Sequence, residues 1–285
     1  MKKRPVVAIM YDFDKTLCSE DMQNYAFIPD LDMTPQEFWS ATSEFGQKEN
    51  MEKVLAYLYM MVAKAKEKNI KFTKEYLRSL GSSIKYFKGV LGWFKRINDY
   101  GATLGLDVKH YIISSGVKDI IEGSEIAKEF AGIYACEYVF DENGDAVWPK
   151  IAINYTMKTQ FVFRISKGVD SIHDDDQVNE KISESDRKVL YRNMIYLGDG
   201  ITDIPCMRLV KDKQGKSIAV YPRGKKEKVA SLLRHKRVNF IAPADYSENS
   251  ELDKIVKLQL EYISLLTKME EKESKQLNSI KLKEE

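Results

Sequence analysis

The sequence predicts an α/β fold: a mainly parallel sheet with helices on both faces, and a small helical domain inserted after the first strand. Three observations carry this expectation. Short apolar, β-branched runs recur at residues 6–11, 110–113 and 194–197, as strands buried on both faces require. Helical periodicity fills most of the sequence between them, and such alternation implies parallel pairing. Each run also stops abruptly at polar residues: Asp12 and Asp14, then Ser114-Ser115-Gly116, then Gly198-Asp199-Gly200.

The elements follow in order. Residues 19–86 read as helices: Thr34, Pro35 and Glu37 have the pattern of an N-cap with proline in the first turn. Residues 51–68 carry Val54, Leu55, Leu58, Met61, Val62 and Ala65 at helical spacing, and Thr73 caps a shorter helix. Residues 90–100 and 120–130 are expected helices on either side of the second strand. A hairpin is expected from 134–140 and 146–153, turning at Asn143-Gly144. Residues 156–167 are helical, and 168–187 form a polar, acid-rich loop with a helical piece. Strands at 217–221 and 238–241 enclose a helix at 225–234. From residue 251 an amphipathic helix begins (Leu252, Ile255, Val256, Leu260, Ile263) and turns almost wholly charged after Thr267. The expected units are a core of 1–18 and 87–265, a helical cap of 19–86, and a charged tail of 266–285.

Composition narrows the function. Forty-five basic against 43 acidic residues give a formal charge of +2, which does not announce a nucleic-acid partner. Cys18, Cys136 and Cys206 are scattered without CxxC spacing, as expected in a reducing compartment. Met1-Lys2-Lys3-Arg4 and the apolar run after it superficially mimic a signal peptide, but the run is short and Asp12 and Asp14 interrupt it. No run of about 18 apolar residues is present. A cytoplasmic protein without a membrane partner is the expectation; the pattern specifies no oligomeric state.

In an open parallel sheet the carboxyl ends of the strands line the ligand crevice, so the three polar clusters are expected to converge. The segment Asp12-Phe13-Asp14-Lys15-Thr16-Leu17 matches the DxDx[TV] signature of the haloacid dehalogenase-like (HAD) hydrolases. Gly198-Asp199-Gly200-Ile201-Thr202-Asp203 matches their GDGxxD signature, Ile112-Ile113-Ser114 fits the strand-then-hydroxyl element between, and a lysine precedes GDGxxD. The chain thus resembles that superfamily over residues 6–203, with its Rossmann-like core, and the insert resembles the helical cap of the phosphoserine phosphatase-like branch.

The resemblance implies a Mg²⁺-dependent phosphomonoester hydrolase acting on a small phosphorylated metabolite through an aspartyl-phosphate at Asp12. It implies Asp12 and Asp199 as carboxylate ligands of Mg²⁺, Asp14 as a ligand through its carbonyl, and Asp203 behind them. It also nominates Glu20, Asp21 and Gln23 beside the leaving group. Asp21 stands where phosphoserine phosphatases place a Glu, and the cap holds a single arginine, Arg78.

Elementary chemistry agrees. A carboxylate attacking a phosphate dianion needs a hard cation to offset like-charge repulsion. Asp14 can protonate the leaving oxygen and then deprotonate water. Ser114, Ser115 and nearby N–H groups are the expected phosphate holders. Lys158 and Lys167 lie nine residues apart on one helix, about 900° of turn, hence on opposite faces. Lys158, near the N-terminus where the dipole favours an anion, is the expected catalytic and phosphate-binding lysine. A phosphomutase or a non-catalytic phospho-ligand-binding protein would use the same scaffold. His110, His173 and His235 are expected to be structural or exposed, Trp39, Trp93 and Trp148 to pack, Tyr57 to belong to a helix core or the surface of the insert, and Asp174-Asp175-Asp176 to be a solvated loop.

Overall fold

The computed structural model describes residues 4–281. From the N-terminus come β1 (Val6–Tyr11), α1 (Phe27–Asp30), α2 (Pro35–Lys48), α3 (Lys53–Glu67), α4 (Lys74–Leu80) and α5 (Val90–Thr103). Then follow β2 (Asp107–Val117), α6 (Lys118–Glu122), β3 (Phe130–Phe140), β4 (Ala146–Ile151), α7 (Lys158–Lys167) and α8 (Asp175–Asn179). The chain ends with β5 (Met194–Gly198), α9 (Ile204–Asp212), β6 (Lys216–Tyr221), α10 (Glu227–Arg234), β7 (Phe240–Pro243) and α11 (Glu251–Lys281).

The sheet order is β4-β3-β2-β1-β5-β6-β7. Every pairing is parallel except β3 with β4, which form the antiparallel hairpin. β1 therefore sits centrally, with Tyr11 level with Ile112 on one side and Leu197 on the other. The chain order reverses at this point, which is where a parallel sheet opens its crevice. Val7 to Tyr11 are fully buried, as the unbroken apolar run requires.

The helical segment between β1 and β2 packs on its own apolar faces. Phe27, Phe38, Leu58, Met61 and Leu77 are completely buried. Thr34 and Glu37 form a reciprocal capping box: the Thr34 Oγ1 accepts from the Glu37 N–H, and the Glu37 carboxylate from the Thr34 N–H. This segment rests on the β3–β4 hairpin, where the Tyr138 hydroxyl donates to the Leu58 carbonyl at 2.9 Å.

Two expectations need correction. The helix expected over 120–130 is only α6; β3 starts at Phe130. Gly123 explains the stop, because a Cβ there would lie 1.8 Å from the Arg78 carbonyl, so the chain is pressed against α4. β2 also runs on through Ser114-Ser115-Gly116, with a register shift between Ile113 and Val117, a bulge of the kind that re-aims groups at a strand end. α11 packs Leu252, Val256, Leu260 and Ile263 on the core and leaves Leu258, Tyr262, Leu265 and Met269 exposed. No helix of the described residues is long and apolar enough to cross a membrane.

Behind β1 lies a buried polar chain. The Trp93 indole donates to the Tyr11 hydroxyl (2.8 Å), which pairs with His110 Nδ1 (2.9 Å), while Nε2 meets Asn98 Oδ1 (3.0 Å). Tyr11 already accepts from Trp93, so its proton goes to Nδ1 and the imidazole is neutral. Burial pushes the His110 pKa down to about 3. Below the ordinary imidazole pKa the unfolded chain binds a proton that the native state refuses, so stability falls as pH drops from 6.5. Urea unfolding between pH 7 and 4 should show a His110 component of up to ~1.4 kcal/mol per pH unit, removed in His110→Gln.

Candidate active site

Two strand ends and the turn before α9 deliver the carboxylates. Asp12 follows β1 directly, and its N–H donates to the Leu197 carbonyl of β5 at 2.9 Å, locking the two strand ends together. Asp199 follows β5, and Asp203 ends the turn before α9. One carboxylate oxygen from each of Asp12, Asp199 and Asp203 falls within 4.8 Å of the others. The close turn requires Gly198, where a Cβ would stand 2.4 Å from Asp203 Oδ2.

Lys158 is the first residue of α7 and reaches into this cluster. Its ammonium, 1% exposed, donates to Asp12 Oδ1 at 2.7 Å and Asp203 Oδ1 at 2.8 Å. Both carboxylates hold its pKa above the ordinary lysine value despite the opposing effect of burial. Lys167 lies on the other face of α7 and donates to the carbonyls of Val178 and Glu180. Asp203 Oδ1 also accepts from the Tyr196 hydroxyl at 2.8 Å. Its Oδ2 is buried without a partner among the described residues.

The electrostatics ask for more positive charge than Lys158 supplies. Burial, with Asp203 opposed by Lys158, pushes the Asp12 pKa up to about 6. Burial and the charges of Asp12 and Asp203 push Asp199 up to about 8. Three carboxylates sharing one ammonium, with one orphaned oxygen, form an all-oxygen cluster whose chemistry fits a hard divalent cation.

Asp14 turns toward the other side. Its Oδ1 accepts from the Met22 N–H at 2.8 Å, and its Oδ2 would lie 3.2 Å from a Cβ at Gly116. Burial, then the charges of Asp21 and Asp12, hold its carboxyl well above the usual carboxylate range. Ser114 is buried, its hydroxyl accepting from the Gly116 N–H at 3.0 Å. The Ser115 carbonyl is held by the Tyr57 hydroxyl and the Cys136 thiol.

Above Asp14, Ser115 and Gly116 the helical segment closes a cavity of about 620 Å³. Gln23, Asp21, Trp39, Thr42 and Tyr57 are in its wall. Asp21 is engaged by Lys15 at 2.5 Å. Gln23 is 2% exposed, and its carbonyl oxygen has no partner among the described residues. Glu20 is not brought to the cavity: it is exposed, its carboxylate meeting Asn24 Nδ2 and its N–H donating to the Tyr25 hydroxyl. Arg78 is drawn away too, paired with Glu122 at 2.5 Å. Trp39 and Tyr57 pack as expected, Tyr57 within the core and Trp39 against it, and both also line this space; Trp148, expected to pack, is instead 69% exposed on β4. Helical periodicity gives a cavity-lining aromatic and a core aromatic the same signature, so only tertiary placement separates them.

No family model matches the sequence. An uncharacterized protein of Borreliella burgdorferi is 26% identical over 277 residues, covering 88% of this chain and 95% of that one. Among solved structures, a HAD family hydrolase from Salmonella enterica serovar Typhi is similar with a TM-score of 0.56 at 15% identity, over 90% of this chain and 72% of that one. A substrate-bound phosphoserine phosphatase gives 0.55 at 14%, over 90% and 99%. A probable phosphoserine phosphatase from Vibrio cholerae gives 0.56 at 11%, over 93% and 67%. The chain has the Rossmann-like α/β fold of the HAD-family hydrolases.

Proposed function

We propose that this chain is a HAD-type phosphate-monoester hydrolase, dependent on Mg²⁺, in which Asp12 is the nucleophile. The observation that carries the proposal is the meeting of Asp12 and Asp199, at the ends of adjacent strands, with Asp203 and Lys158 from the starts of two helices, beside a cavity holding a protonatable Asp14. The fold shared with phosphatases of known structure supports it.

Asp12, Asp199 and the Asp14 carbonyl would hold the cation, which offsets the charge of nucleophile and phosphate. Lys158, anchored on its other side by Asp203, keeps the Asp12 carboxylate ionised and aimed. The Ser114 hydroxyl, the N–H groups around Ser115 and the Lys158 ammonium take the phosphoryl oxygens. An Asp12 oxygen bonds to phosphorus as the bond to the leaving oxygen breaks, and Asp14 gives that oxygen its proton. Asp14 then takes a proton from a water molecule. That water attacks phosphorus, freeing inorganic phosphate and the Asp12 carboxylate. The raised pKa of Asp14 suits the first proton transfer.

The test is p-nitrophenyl phosphate turnover with Mg²⁺, then with excess EDTA, then with Mg²⁺ restored. Phosphate release should fall about 100-fold or more in EDTA and return with the metal, as expected where the cation stabilises charge in the transition state. Release indifferent to EDTA would overturn the metal dependence, and no release with Mg²⁺, Mn²⁺ or Co²⁺ would overturn the hydrolase.

A further inference from the structure

The cavity wall has a distinct chemistry. Its polar groups are mainly neutral, and its charges are mostly spent. Asp21 is held by Lys15, and the Glu52 carboxylate caps α3 by accepting from the Val54 and Leu55 N–H groups at 2.8 and 3.0 Å. Arg78 is engaged outside. The remaining cation in the wall, Lys53, is exposed, and an ammonium in water contributes little to holding a carboxylate. Among the described residues, a leaving group carrying both amino and carboxylate charges finds no buried cation in this wall for its carboxylate.

Neutral partners are available instead. The Gln23 carbonyl oxygen and the Thr42 hydroxyl are buried and unpartnered among the described residues, the two residues being 2% and 6% exposed. A buried polar atom without a hydrogen-bond partner is unfavourable, and a ligand hydroxyl that pairs with it recovers the loss. Gln47 and Asn50 add amides to the same wall. In the same wall Trp39 and Tyr57 meet edge-on, with centroids 6.0 Å apart, and give an apolar surface for the C–H face of a ring. The volume of about 620 Å³ lies in the usual range for a small-molecule site and exceeds what a three-carbon amino acid fills.

We infer that this cavity recognises the uncharged, hydroxyl-rich ring of a sugar monophosphate. The inference rests on the hydrolase proposal for the position of the phosphate and goes beyond it by naming the alcohol. Gln23 and Thr42 are its specificity-determining residues. They accept and donate hydrogen bonds to ring hydroxyls while Trp39 covers one face.

Calorimetric titration of the Asp12→Asn protein with Mg²⁺ tests this without turnover. Glucose 6-phosphate or ribose 5-phosphate should bind about tenfold or more tightly than L-phosphoserine. Adding Gln23→Leu or the near-isosteric Thr42→Val should erase about tenfold of sugar-phosphate affinity, the scale for a site losing a hydrogen-bonding partner. Phosphoserine binding as tightly as both sugar phosphates, or both double variants binding sugar phosphate like the parent, would overturn the inference. Wild-type turnover of p-nitrophenyl phosphate reports separately on the hydrolase proposal. Sugar-phosphate binding without turnover sinks the hydrolase and keeps the recognition; turnover with preferred phosphoserine binding does the reverse.

Discussion

Asp12→Asn lowers phosphate release by at least about 10³-fold, the scale on which a nucleophile acts when the parts of a site work as a unit. The substitution keeps the volume and removes the attacking charge. It should not unfold the protein, because Lys158 retains Asp203 as a partner at 2.8 Å. Removing a buried charge whose pKa is pushed up to about 6 also relieves repulsion among the three carboxylates. Thermal unfolding alongside the assay separates the two effects: activity should vanish while the metal-free midpoint holds or rises. A variant keeping more than a tenth of wild-type turnover contradicts the role of Asp12.

Lys158→Met should produce the largest stability loss of any single change at the site. The side chain is 1% exposed and bridges two carboxylates that are themselves buried. Methionine fills the same space but leaves Asp12 and Asp203 facing each other without a cation. Removing one partner of a buried ion pair costs about 3–5 kcal/mol, read by urea unfolding of the metal-free protein. Mg²⁺ should restore part of that loss, because a ligand bound only by the native state stabilises it. Lys167→Met is the control: among the described residues Lys167 donates to the carbonyls of Val178 and Glu180, away from the carboxylate cluster. It should cost about 1 kcal/mol, the net worth of ordinary hydrogen bonds, and keep turnover. Equal stability of Lys158→Met and wild type contradicts the electrostatic account.

The central sheet was legible because its signals are local. Val6 to Tyr11 is apolar throughout and ends in two aspartates, so strand and polar cluster could be read from a few residues. The hairpin announced itself through Asn143-Gly144, whose glycine takes a φ of +82°, and the first long cap helix through Thr34, Pro35 and Glu37. The opposite faces of α7 followed from helix geometry alone, and Lys158 and Lys167 point accordingly.

What stayed hidden depends on contacts distant in sequence. The early end of α6 comes from Gly123 pressed on the Arg78 carbonyl, and no periodicity records that. α9 had no counterpart among the expected elements, because Gly198, Gly200 and Pro205 mask a helix whose first turn in fact accommodates the proline. Glu20 and Gln23 are three residues apart and looked equivalent, yet the Tyr25 hydroxyl draws the Glu20 backbone outward while Gln23 turns into the cavity. The cavity itself joins residues of the helical segment to Ser115, Tyr155 and Thr202, a closure that only the tertiary fold creates.

In the proposed reaction the phosphoryl group passes to Asp12. Acid-quenching the Mg²⁺-loaded protein during turnover of a phosphate monoester, followed by peptide mass spectrometry, tests it most directly. An acyl-phosphate is expected on the peptide containing Asp12, absent without substrate and absent in Asp12→Asn. Full turnover with the phosphoryl group trapped on another residue, or with the Asp12→Asn protein labelled as strongly as wild type, would contradict it.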